Sequence, residues 1–397
     1  MCSSIAGSSA LRLGWLSVAG FRNLGEQELS FHPRFTLISG GNGQGKTNLV
    51  EAVHYALTLR MLRPGKLREL VQHGVTSASI QTRLAFQGID THLDVRLDAQ
   101  GAAIVRELRR EQKPSGVDEY LQAGAVVAFT PDDLVLIRGG PERRRRMLDR
   151  AIFNRWPSYL GEARTYQRLL KSRNQLLRQH VATEVRESFE SQLWESGARI
   201  ILRRQELLQE LAPLVEDAFE RIGLGHGRVR LHYKSVAKSV DQSIGQSLGQ
   251  GTGHSPGRGA GARELADALA AEAALRLGTD RERGFTSVGP HADDLNITLS
   301  GRPARLFASQ GQARALVLAI KVAEIENLRT RLGHAPILLL DDVSSELDPA
   351  RNASLLAYLR DLSSQVLLTT TDDASLRASV GAERARWVVM QGLVNIE

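Results

Sequence analysis

The chain contains Gly40-Gly41-Asn42-Gly43-Gln44-Gly45-Lys46-Thr47, in which four residues separate the first glycine from Gly-Lys-Thr. A short apolar, β-prone run at residues 35–38 precedes it, and apolar residues recur at helical spacing over residues 49–57 behind it. Glycines let the backbone curl until successive N–H groups point at phosphate oxygens, and the following helix adds its positive N-terminal end. The pattern therefore predicts a phosphate-binding P-loop, because these flanks argue against a chance glycine-rich turn.

Each residue of this loop has an expected role in binding a nucleotide. Lys46 should bridge the β- and γ-phosphates and act in catalysis, while the Thr47 hydroxyl should coordinate magnesium. The predicted phosphate-binding residues are Gly40, Gly41, Asn42, Gly43, Gln44, Gly45, Lys46, Thr47 and Asn48.

The composition is that of an ordinary globular chain with a positive balance. The 397 residues are 42% hydrophobic and 24% charged, with a net charge of +7 and a sequence pI near 9.8. This length can bury a sizeable core in two lobes, and the charge favours a polyanionic partner. The single cysteine, Cys2, excludes an internal disulfide and fits a reducing cytosol. No run approaches the ~20 apolar residues of a membrane span, so a cytoplasmic protein is expected.

A second stretch narrows the enzyme class, because kinases, helicases, GTPases and transport ATPases share the P-loop. Residues 336–342, Pro-Ile-Leu-Leu-Leu-Asp-Asp, have the pattern of a buried strand ending in two carboxylates, the Walker B arrangement. Asp341 is predicted to hold magnesium, directly or through water, together with Thr47. Asp342 should lie beside the γ-phosphate and orient the attacking water, which makes it the second predicted catalytic residue beside Lys46.

A third stretch, Phe307-Ala308-Ser309-Gln310-Gly311-Gln312, precedes a helix-like segment. Ser309 is expected to cap that helix, and exposed N–H groups near Gly311 make a second anion site. The stretch resembles the signature motif of ABC-type ATPases, and residues 344–348 resemble their D-loop. This resemblance implies that Ser309, Gly311 and Gln312 close on a γ-phosphate held by the P-loop of another subunit, in a head-to-head homodimer.

The chain is predicted to form an α/β ABC-type ATPase head, a mixed sheet with flanking helices, with an inserted α-helical lobe. Residues 1–10 form a flexible extension, 11–130 the N-terminal part of the head, and 285–397 its C-terminal part. Residues 131–284 form the helical arm, with a mobile loop rich in Gly, Ser and Gln at 238–262. Strands near 13–18 and 29–31 are expected to lead into the edge of the P-loop sheet, and antiparallel strands are expected within 79–106.

Basic residues dominate the beginning of the arm, where cations continue to Arg178 with few acids. So lopsided a segment favours contact with a DNA or RNA backbone over a solvated helix face. A lesser alternative is that some of these arginines pair with acids in the core. A second basic segment at 60–68 fits a solvated loop and a phosphate contact equally well. The predicted DNA contacts are Arg143, Arg144, Arg145 and Arg146.

Together these residues resemble the RecF family of bacterial DNA replication and repair proteins, relatives of the SMC-type ATPases without their long coiled coil. The resemblance runs from about Leu13 to the end of the sequence. Beside the ATPase motifs it rests on Arg68-Glu69-Leu70-Val71, Phe129-Thr130-Pro131-Asp132-Asp133-Leu134, Gly139-Gly140-Pro141, Arg173-Asn174-Gln175-Leu176-Leu177 and Gly289-Pro290-His291-Ala292-Asp293-Asp294-Leu295.

The resemblance implies a weak DNA-dependent ATPase that binds ATP and Mg²⁺, binds single-stranded and gapped duplex DNA, and dimerises with ATP on DNA. It also implies cooperation with RecO and RecR in loading RecA at gaps and stalled forks, in recombinational repair and the SOS response. Transporter ATPases carry Glu at the position of Asp342 and a switch His after the next strand, so their absence suggests slow hydrolysis. His291 fits a substitute for that His and a structural turn residue equally well.

Two other functions remain open from the sequence. An ATPase subunit of an ABC transporter would need a surface that couples to a membrane partner, which the basic arm argues against. A nucleotide-binding DNA scaffold without hydrolysis is disfavoured by the paired carboxylates Asp341 and Asp342. Co-purification with membranes would favour the first, and the absence of phosphate release the second.

Overall fold

The computed structural model describes residues 10–100, 103–156, 158–179, 183–221, 227–237, 258–342, 349–362, 364–371 and 384–397. The chain divides into two compact units. Unit 1 comprises Met1–Leu134, Asp217–Gly225 and Gln310–Glu397, and unit 2 comprises Val135–Glu216 and His226–Ser309.

The described residues form runs of strands and runs of helices. The strands are β1 Arg12–Ala19, β2 Gln27–Ser30, β3 Phe35–Ser39, β4 Ser77–Phe86, β5 Ile89–Gln100, β6 Ala103–Arg110, β7 Lys113–Pro114, β8 Val126–Phe129, β9 Val229–Lys234, β10 Asp294–Leu299, β11 Arg302–Pro303, β12 Ile337–Leu340, β13 Val366–Thr370, β14 Arg384–Met390 and β15 Leu393–Ile396. The helices are α1 Lys46–Thr58, α2 Val117–Leu121, α3 Val135–Arg138, α4 Pro141–Arg155, α5 Tyr159–Arg178, α6 Thr183–Phe219, α7 Arg258–Leu275, α8 Leu277–Arg283, α9 Ala304–Phe307, α10 Gln310–Leu332 and α11 Pro349–Asp361, with short 3₁₀ helices at Leu67–Leu70 and Pro131–Leu134.

The P-loop follows β3 in the main sheet of unit 1, which has the order β15-β14-β3-β13-β12-β8. β3 pairs in parallel with β13 and β14, and β12 pairs in parallel with β13 and β8. Every residue of β12 is apolar and buried, as expected for a parallel sheet covered on both faces. Because the carboxyl ends of parallel strands share one edge, the segments after β3, β12 and β13 meet there.

The first strands of unit 1 belong to a different sheet from the one predicted. β1 and β2 lie in an antiparallel sheet of order β2-β1-β4-β5-β6-β7 and do not extend the edge of the P-loop sheet. The physical signal is their alternation: Leu16 and Val18 are buried while Ser17 is half-buried, the pattern of a sheet with one face on the core. The antiparallel strands predicted within 79–106 are confirmed by β4, β5 and β6.

Unit 2 contains the predicted helices, in α4, α5 and α6 up to Glu216, together with a small sheet of order β11-β10-β9. The sequence assigns residues from 285 onward to the ATPase head. β10 instead pairs antiparallel with β9, so unit 2 extends to Ser309.

The loop predicted at 238–262 falls largely outside the described residues. The helix α7 begins at Arg258, so the last residues of the predicted loop are helical. Among the described residues, none of the helices combines the length and the apolar character needed to cross a bilayer.

Candidate nucleotide site

The P-loop connects β3 to α1 through glycines in backbone conformations that other residues rarely adopt. Gly40, Gly43 and Gly45 have φ angles of 145°, 75° and 115°. The Lys46 side chain folds back over the loop, where its Nζ donates to the carbonyl oxygens of Gly40 and Gly41 at 2.7 and 2.8 Å. Burial lowers the pKa of Lys46, whereas the carboxylates of Asp342 and Asp341 raise it. The loop thus holds the ammonium group of Lys46 over its curled backbone.

The predicted metal ligands meet at the shared edge of the parallel sheet. Thr47 Oγ1 donates a 2.9 Å hydrogen bond to Asp341 Oδ1, and Thr369 Oγ1 donates another of 2.9 Å to the same oxygen. Asp341 is 5% exposed, and burial raises its pKa. Two hydroxyls therefore converge on the carboxylate of Asp341, which follows β12: Thr47 belongs to the first turn of α1, after the P-loop, and Thr369 lies near the end of β13.

Asp342 follows Asp341 with a left-handed backbone, φ 50°. Its N–H donates to Thr369 Oγ1 at 2.9 Å, so the Thr369 hydroxyl bonds to both residues of the acidic pair. A non-glycine residue in this conformation costs about 1–3 kcal/mol, and such strain is concentrated at functional sites. No sequence motif marks Thr369, and its role follows from the parallel pairing of β12 and β13.

A chain of polar side chains leads from the basic segment at 60–68 to the P-loop. Arg63 donates to Asn48 Oδ1, Asn48 Nδ2 donates to Asn23 Oδ1 at 2.6 Å, and Asn23 Nδ2 donates to Gly43 O at 3.3 Å. Asn48, predicted to bind phosphate, thus lies in the middle of this chain. Sequence reasoning missed Asn23, because the turn that contains it is distant in sequence and shows no motif of its own.

Buried Glu51 on α1 binds Arg63, the first residue of this hydrogen-bonded series. Its carboxylate is fully buried and pairs with Arg22 Nε at 3.0 Å and with the Arg63 guanidinium at 3.1 Å. Arg63, in the basic segment at 60–68, is therefore held against α1 by this ion pair. The sequence alone left this segment open as a solvated loop or a phosphate contact.

The turn between β14 and β15 forms a further wall of the P-loop. The N–H groups of Gly392 and Gln391 donate to Gln44 O and Gln44 Oε1, at 2.8 and 2.7 Å. Gly392 has a φ angle of 81°, and a Cβ there would lie 2.0 Å from Asn23 O. Only glycine fits this contact, so the C-terminal hairpin orients Gln44 by close backbone approach.

The signature residues lie at the start of α10, a helix that begins at Gln310. Ser309 is exposed directly before it, while Gly311 and Gln312 are half-buried in its first turn. The preceding helix α9 exposes Leu306 and Phe307, by 71% and 60%. The predicted D-loop, residues 344–348, lies outside the described residues.

The predicted run of DNA-contacting arginines divides by burial. Arg144 is 4% exposed, and its guanidinium bonds to both carboxylate oxygens of Asp294 at 2.7 and 2.9 Å and to two backbone carbonyls. Arg145 is half-buried and donates to Asp293 O at 2.7 Å. Arg146 is exposed and pairs with Glu142 one turn away, and Arg143 is half-buried. The prediction that Arg144 contacts DNA is therefore wrong. Arg144 is buried and pairs with an acid inside unit 2, which was the alternative interpretation of these arginines.

Other cations of this segment form a continuous exposed line. On α5, Arg164, Arg168, Lys171 and Arg178 are exposed at spacings that place them on one helix face. The opposite face is buried through Tyr166, Leu169, Leu170, Arg173 and Leu177. We call this line the α5 stripe, and helical periodicity within the basic segment could have identified it.

His291 has a structural environment. Its Nδ1 lies 2.6 Å from Tyr166 Oη and its Nε2 lies 2.9 Å from the Thr286 carbonyl oxygen, so both ring nitrogens are engaged. Because a carbonyl can only accept, Nε2 carries the proton and Nδ1 accepts from the tyrosine. Burial lowers the pKa of His291, which favours this neutral form. The geometry thus favours the structural interpretation of His291.

Comparisons with known proteins identify one family along nearly the whole chain. The family model for the RecF/RecN/SMC N-terminal domain matches residues 12–391. The chain is 46% identical over 386 residues to the DNA replication and repair protein RecF of Anaeromyxobacter sp. (strain Fw109-5), covering 97% of this chain and 99% of the relative. It is 44% identical over 384 residues to the protein of the same name from Myxococcus xanthus (strain DK1622), covering 96% of each.

Solved structures give the same result for the fold. A structure of the recombination mediator protein RecF-ATP in the RecFOR pathway aligns with a TM-score of 0.85 at 27% identity, over 100% of both chains. An Smc head bound to the C-winged helix domain of ScpA aligns with a TM-score of 0.53 at 15% identity, over 97% of this chain and 96% of that one. At that lower identity the likeness concerns the fold alone.

Proposed function

Because the chain belongs to the RecF family, as its motifs predict, we propose that it is a DNA-dependent ATPase of DNA replication and repair. Its fold as an α/β ATPase head with an inserted helical lobe is that of the family. In this proposal the protein binds ATP and Mg²⁺, dimerises with ATP on DNA and hydrolyses ATP slowly. The observation that carries it is the meeting of Thr47, Asp341 and Thr369 beside the P-loop.

The oxygens at this meeting point suit magnesium. Mg²⁺ prefers hard oxygen ligands and is commonly held by a carboxylate together with nucleotide phosphates. Asp341 and Thr47 offer a carboxylate and a hydroxyl 2.9 Å apart. Burial raises the pKa of Asp341, so a cation beside it would relieve the cost of keeping its charge. Bound magnesium would neutralise charge on the β- and γ-phosphates.

The P-loop residues then have defined tasks. Lys46 donates to the carbonyl oxygens of Gly40 and Gly41, and nucleotide phosphates would replace these acceptors with charged ones, which bind an ammonium more strongly. Asp342 would orient the water that attacks the γ-phosphorus. Its carboxylate is shorter by one methylene than the glutamate of transporter ATPases, which supports slow turnover.

A second copy of the chain is the partner that best suits the signature segment. Ser309 is exposed next to Leu306 and Phe307, which are exposed by 71% and 60%. An apolar patch beside a predicted anion site fits a protein surface that brings its own bound nucleotide. Dimerisation would bury the patch and complete each ATP site with the Ser309 segment of the other copy.

The α5 stripe is the surface that we assign to DNA. It extends for about 20 Å along the helix, and the one acid of α5, Glu162, pairs with Arg203 at 3.7 Å. The stripe therefore presents four cations with no acid of α5 among them, which suits the phosphate backbone of single-stranded and gapped duplex DNA. Arg146 on α4 is a further exposed cation of the predicted run.

Family membership also supports the wider pathway. We propose cooperation with RecO and RecR in loading RecA at gaps and stalled forks, in recombinational repair and the SOS response, in the cytoplasm. A solved structure similar to this chain is that of a recombination mediator protein of the RecFOR pathway, which supports these partners.

Phosphate release with and without gapped duplex DNA tests the proposal. We expect slow release that DNA accelerates, and loss of release in Lys46→Ala, which removes the phosphate-binding cation while leaving the core intact. ATP binding without release in the unaltered protein would favour a scaffold that binds nucleotide but does not hydrolyse it. Undiminished ATP affinity in Lys46→Ala would contradict the assigned site.

A further inference from the structure

Phe285 presents an exposed aromatic ring at the end of the α5 stripe. It lies between α8 and β10 and is 44% exposed. A single exposed apolar side chain is common on protein surfaces. The backbone on both sides of Phe285, however, is held with unusual firmness.

Hydrogen bonds to α5 fix the residues before and after Phe285. Gly284, which ends α8 with a φ angle of 68°, accepts a hydrogen bond from Arg178 Nε at 3.1 Å. On the other side, both the N–H and the hydroxyl of Thr286 donate to Asn174 Oδ1, at 2.8 and 2.7 Å. The residues on both sides of Phe285 are therefore hydrogen-bonded to α5, which fixes the backbone that carries the ring.

A buried ion pair supports the same segment. Arg173 is 2% exposed and bonds to the fully buried Asp280 at 3.0 Å and to Thr286 Oγ1 at 2.8 Å, and its Nε pairs with Glu190 at 2.8 Å. Buried ion pairs contribute little net stability, because desolvation offsets their attraction, but removing one partner is costly. The pair thus fixes the position of the Phe285 segment more than it stabilises unit 2. A ring held in place before binding loses little conformational entropy when a ligand covers it.

The charges around the ring indicate the kind of ligand. The Arg178 side chain packs on Gly284, with its Cγ 2.9 Å from where a Cβ added at Gly284 would lie, and Arg283 is exposed beside it next to the exposed Glu282. From Arg178 the stripe continues through Lys171, Arg168 and Arg164. Cations in a row pair with successive phosphates, and an aromatic face accepts a base of any sequence. A purely apolar protein partner would leave these cations without counter-charges, and paired bases inside a duplex offer no free face.

We propose that Phe285 stacks on an unpaired base of the strand whose phosphates lie along the α5 stripe. The stripe then supplies affinity for any DNA, and the ring selects DNA that contains a single-stranded segment. This inference rests on the proposed binding of DNA by the arm and adds a residue that determines its specificity.

The test compares gapped duplexes that differ only in the bases of the gap. One carries ordinary nucleotides in the gap, and the other carries abasic nucleotides with the same phosphates. We expect the unaltered protein to bind the first roughly 5- to 150-fold more tightly, the range for stacking of one base on an aromatic ring. Phe285→Leu, which keeps apolar bulk, should bind both duplexes equally, and Phe285→Tyr, which keeps the ring, should retain the preference.

A matched control and a second variant separate the possible failures. Phe189→Leu alters a phenylalanine on α6 that is exposed by 45%, and it should retain the preference. Arg164→Ala with Arg168→Ala should weaken binding of both duplexes and lower the salt slope by roughly 0.7–0.9 per lost contact. If this double variant bound both duplexes like the unaltered protein, the assignment of DNA binding to the α5 stripe would be wrong. If it weakened binding while Phe285→Leu still preferred the gap with bases, the stacking role of Phe285 alone would be overturned.

Discussion

Burial distinguishes structural from surface arginines within one run of like charge. Arg144 lies on the same face of α4 as Met147, Leu148 and Ala151, at spacings of three, four and seven residues, and all of these are buried. Counting charges along the sequence predicts a DNA contact for the whole run. The helical period of its apolar neighbours contains the information that Arg144 points inward.

The neighbouring arginines give a paired prediction on stability. Arg144→Ala should lower the free energy of unfolding by about 1–3 kcal/mol, because it removes the guanidinium that donates to both carboxylate oxygens of Asp294 and to two backbone carbonyls. Arg146→Ala, at an exposed position on the same helix, should change it by less than about 0.5 kcal/mol. Urea unfolding of both variants measures the difference. Equal destabilisation would mean that Arg144 is not structural.

His291 gives a prediction on pH. Its folded-state pKa is lowered, mainly by burial, and the charges of Arg145, Arg173 and Arg204 lower it further, against the Thr286 carbonyl, which raises it. The unfolded chain therefore takes up a proton at a higher pH than the folded one, near pH 6.5 for a free histidine. Stability contributed by neutral His291 is complete above that pH and declines as the pH falls toward the folded-state pKa.

His291→Gln should remove this part of the pH dependence, because glutamine can accept from Tyr166 and donate to the Thr286 carbonyl without titrating. Thermal unfolding between pH 7.5 and 5.5 should show a larger loss of stability in the unaltered protein than in the variant. Parallel curves for the two proteins would indicate that His291 does not titrate in this range.

Among the elements, motifs confined to one continuous segment are the ones that the sequence predicts well. The P-loop and the Walker B strand each carry their pattern within a few residues, and both lie where the sequence predicts them. Asn23, Thr369 and Gln391 come from separate turns and strand ends. Thr369 and Gln391 reach the site because β3, β13 and β14 are neighbours in one sheet, whereas Asn23 lies in the turn between β1 and β2 of the antiparallel sheet, and no local pattern specifies either arrangement.

The β14–β15 hairpin gives a prediction at this scale. Gly392→Ala places a Cβ 2.0 Å from Asn23 O, so the turn must move and should release Gln44. We expect ATP affinity to fall roughly tenfold, corresponding to about 1–2 kcal/mol of strain at the P-loop. Equilibrium binding of ATP measures it.

The β4–β5 turn provides the control for this experiment. Gln87 and Gly88 have φ angles of 50° and 79°, close to the 50° and 81° of Gln391 and Gly392, and a Cβ at Gly88 would meet nothing within 4 Å. Gly88→Ala therefore imposes the same backbone strain without the clash. If it weakened ATP binding as much as Gly392→Ala, the hairpin would have no specific role at the P-loop.

At the scale of the whole molecule, the sequence predicts an ATPase head and a helical insertion but not the extent of the second unit. The alternating strand β10 looks like a return to the head. Its partner β9 lies beyond a long helix, and a pairing between strands so distant in sequence leaves no mark in either strand alone. The sequence does not predict the surface of the proposed dimer for the same reason. A surface that completes the ATP site of a second copy is, within one copy, simply an exposed patch.

Variants of the signature and of the acidic pair test assembly directly. Ser309→Arg should leave ATP binding by one copy nearly intact, because Lys46, Thr47 and Asp341 come from the same chain, while a bulky cation should block closure of the dimer. Asp342→Asn should do the reverse: loss of the carboxylate charge leaves the attacking water poorly oriented and reduces repulsion of the γ-phosphate, so an ATP-bound dimer should accumulate on DNA. Sedimentation with ATP and DNA distinguishes the two, with the unaltered protein between them. A dimer of undiminished affinity from Ser309→Arg would remove the signature from the interface, and with it the proposed mechanism in which each copy completes the ATP site of the other.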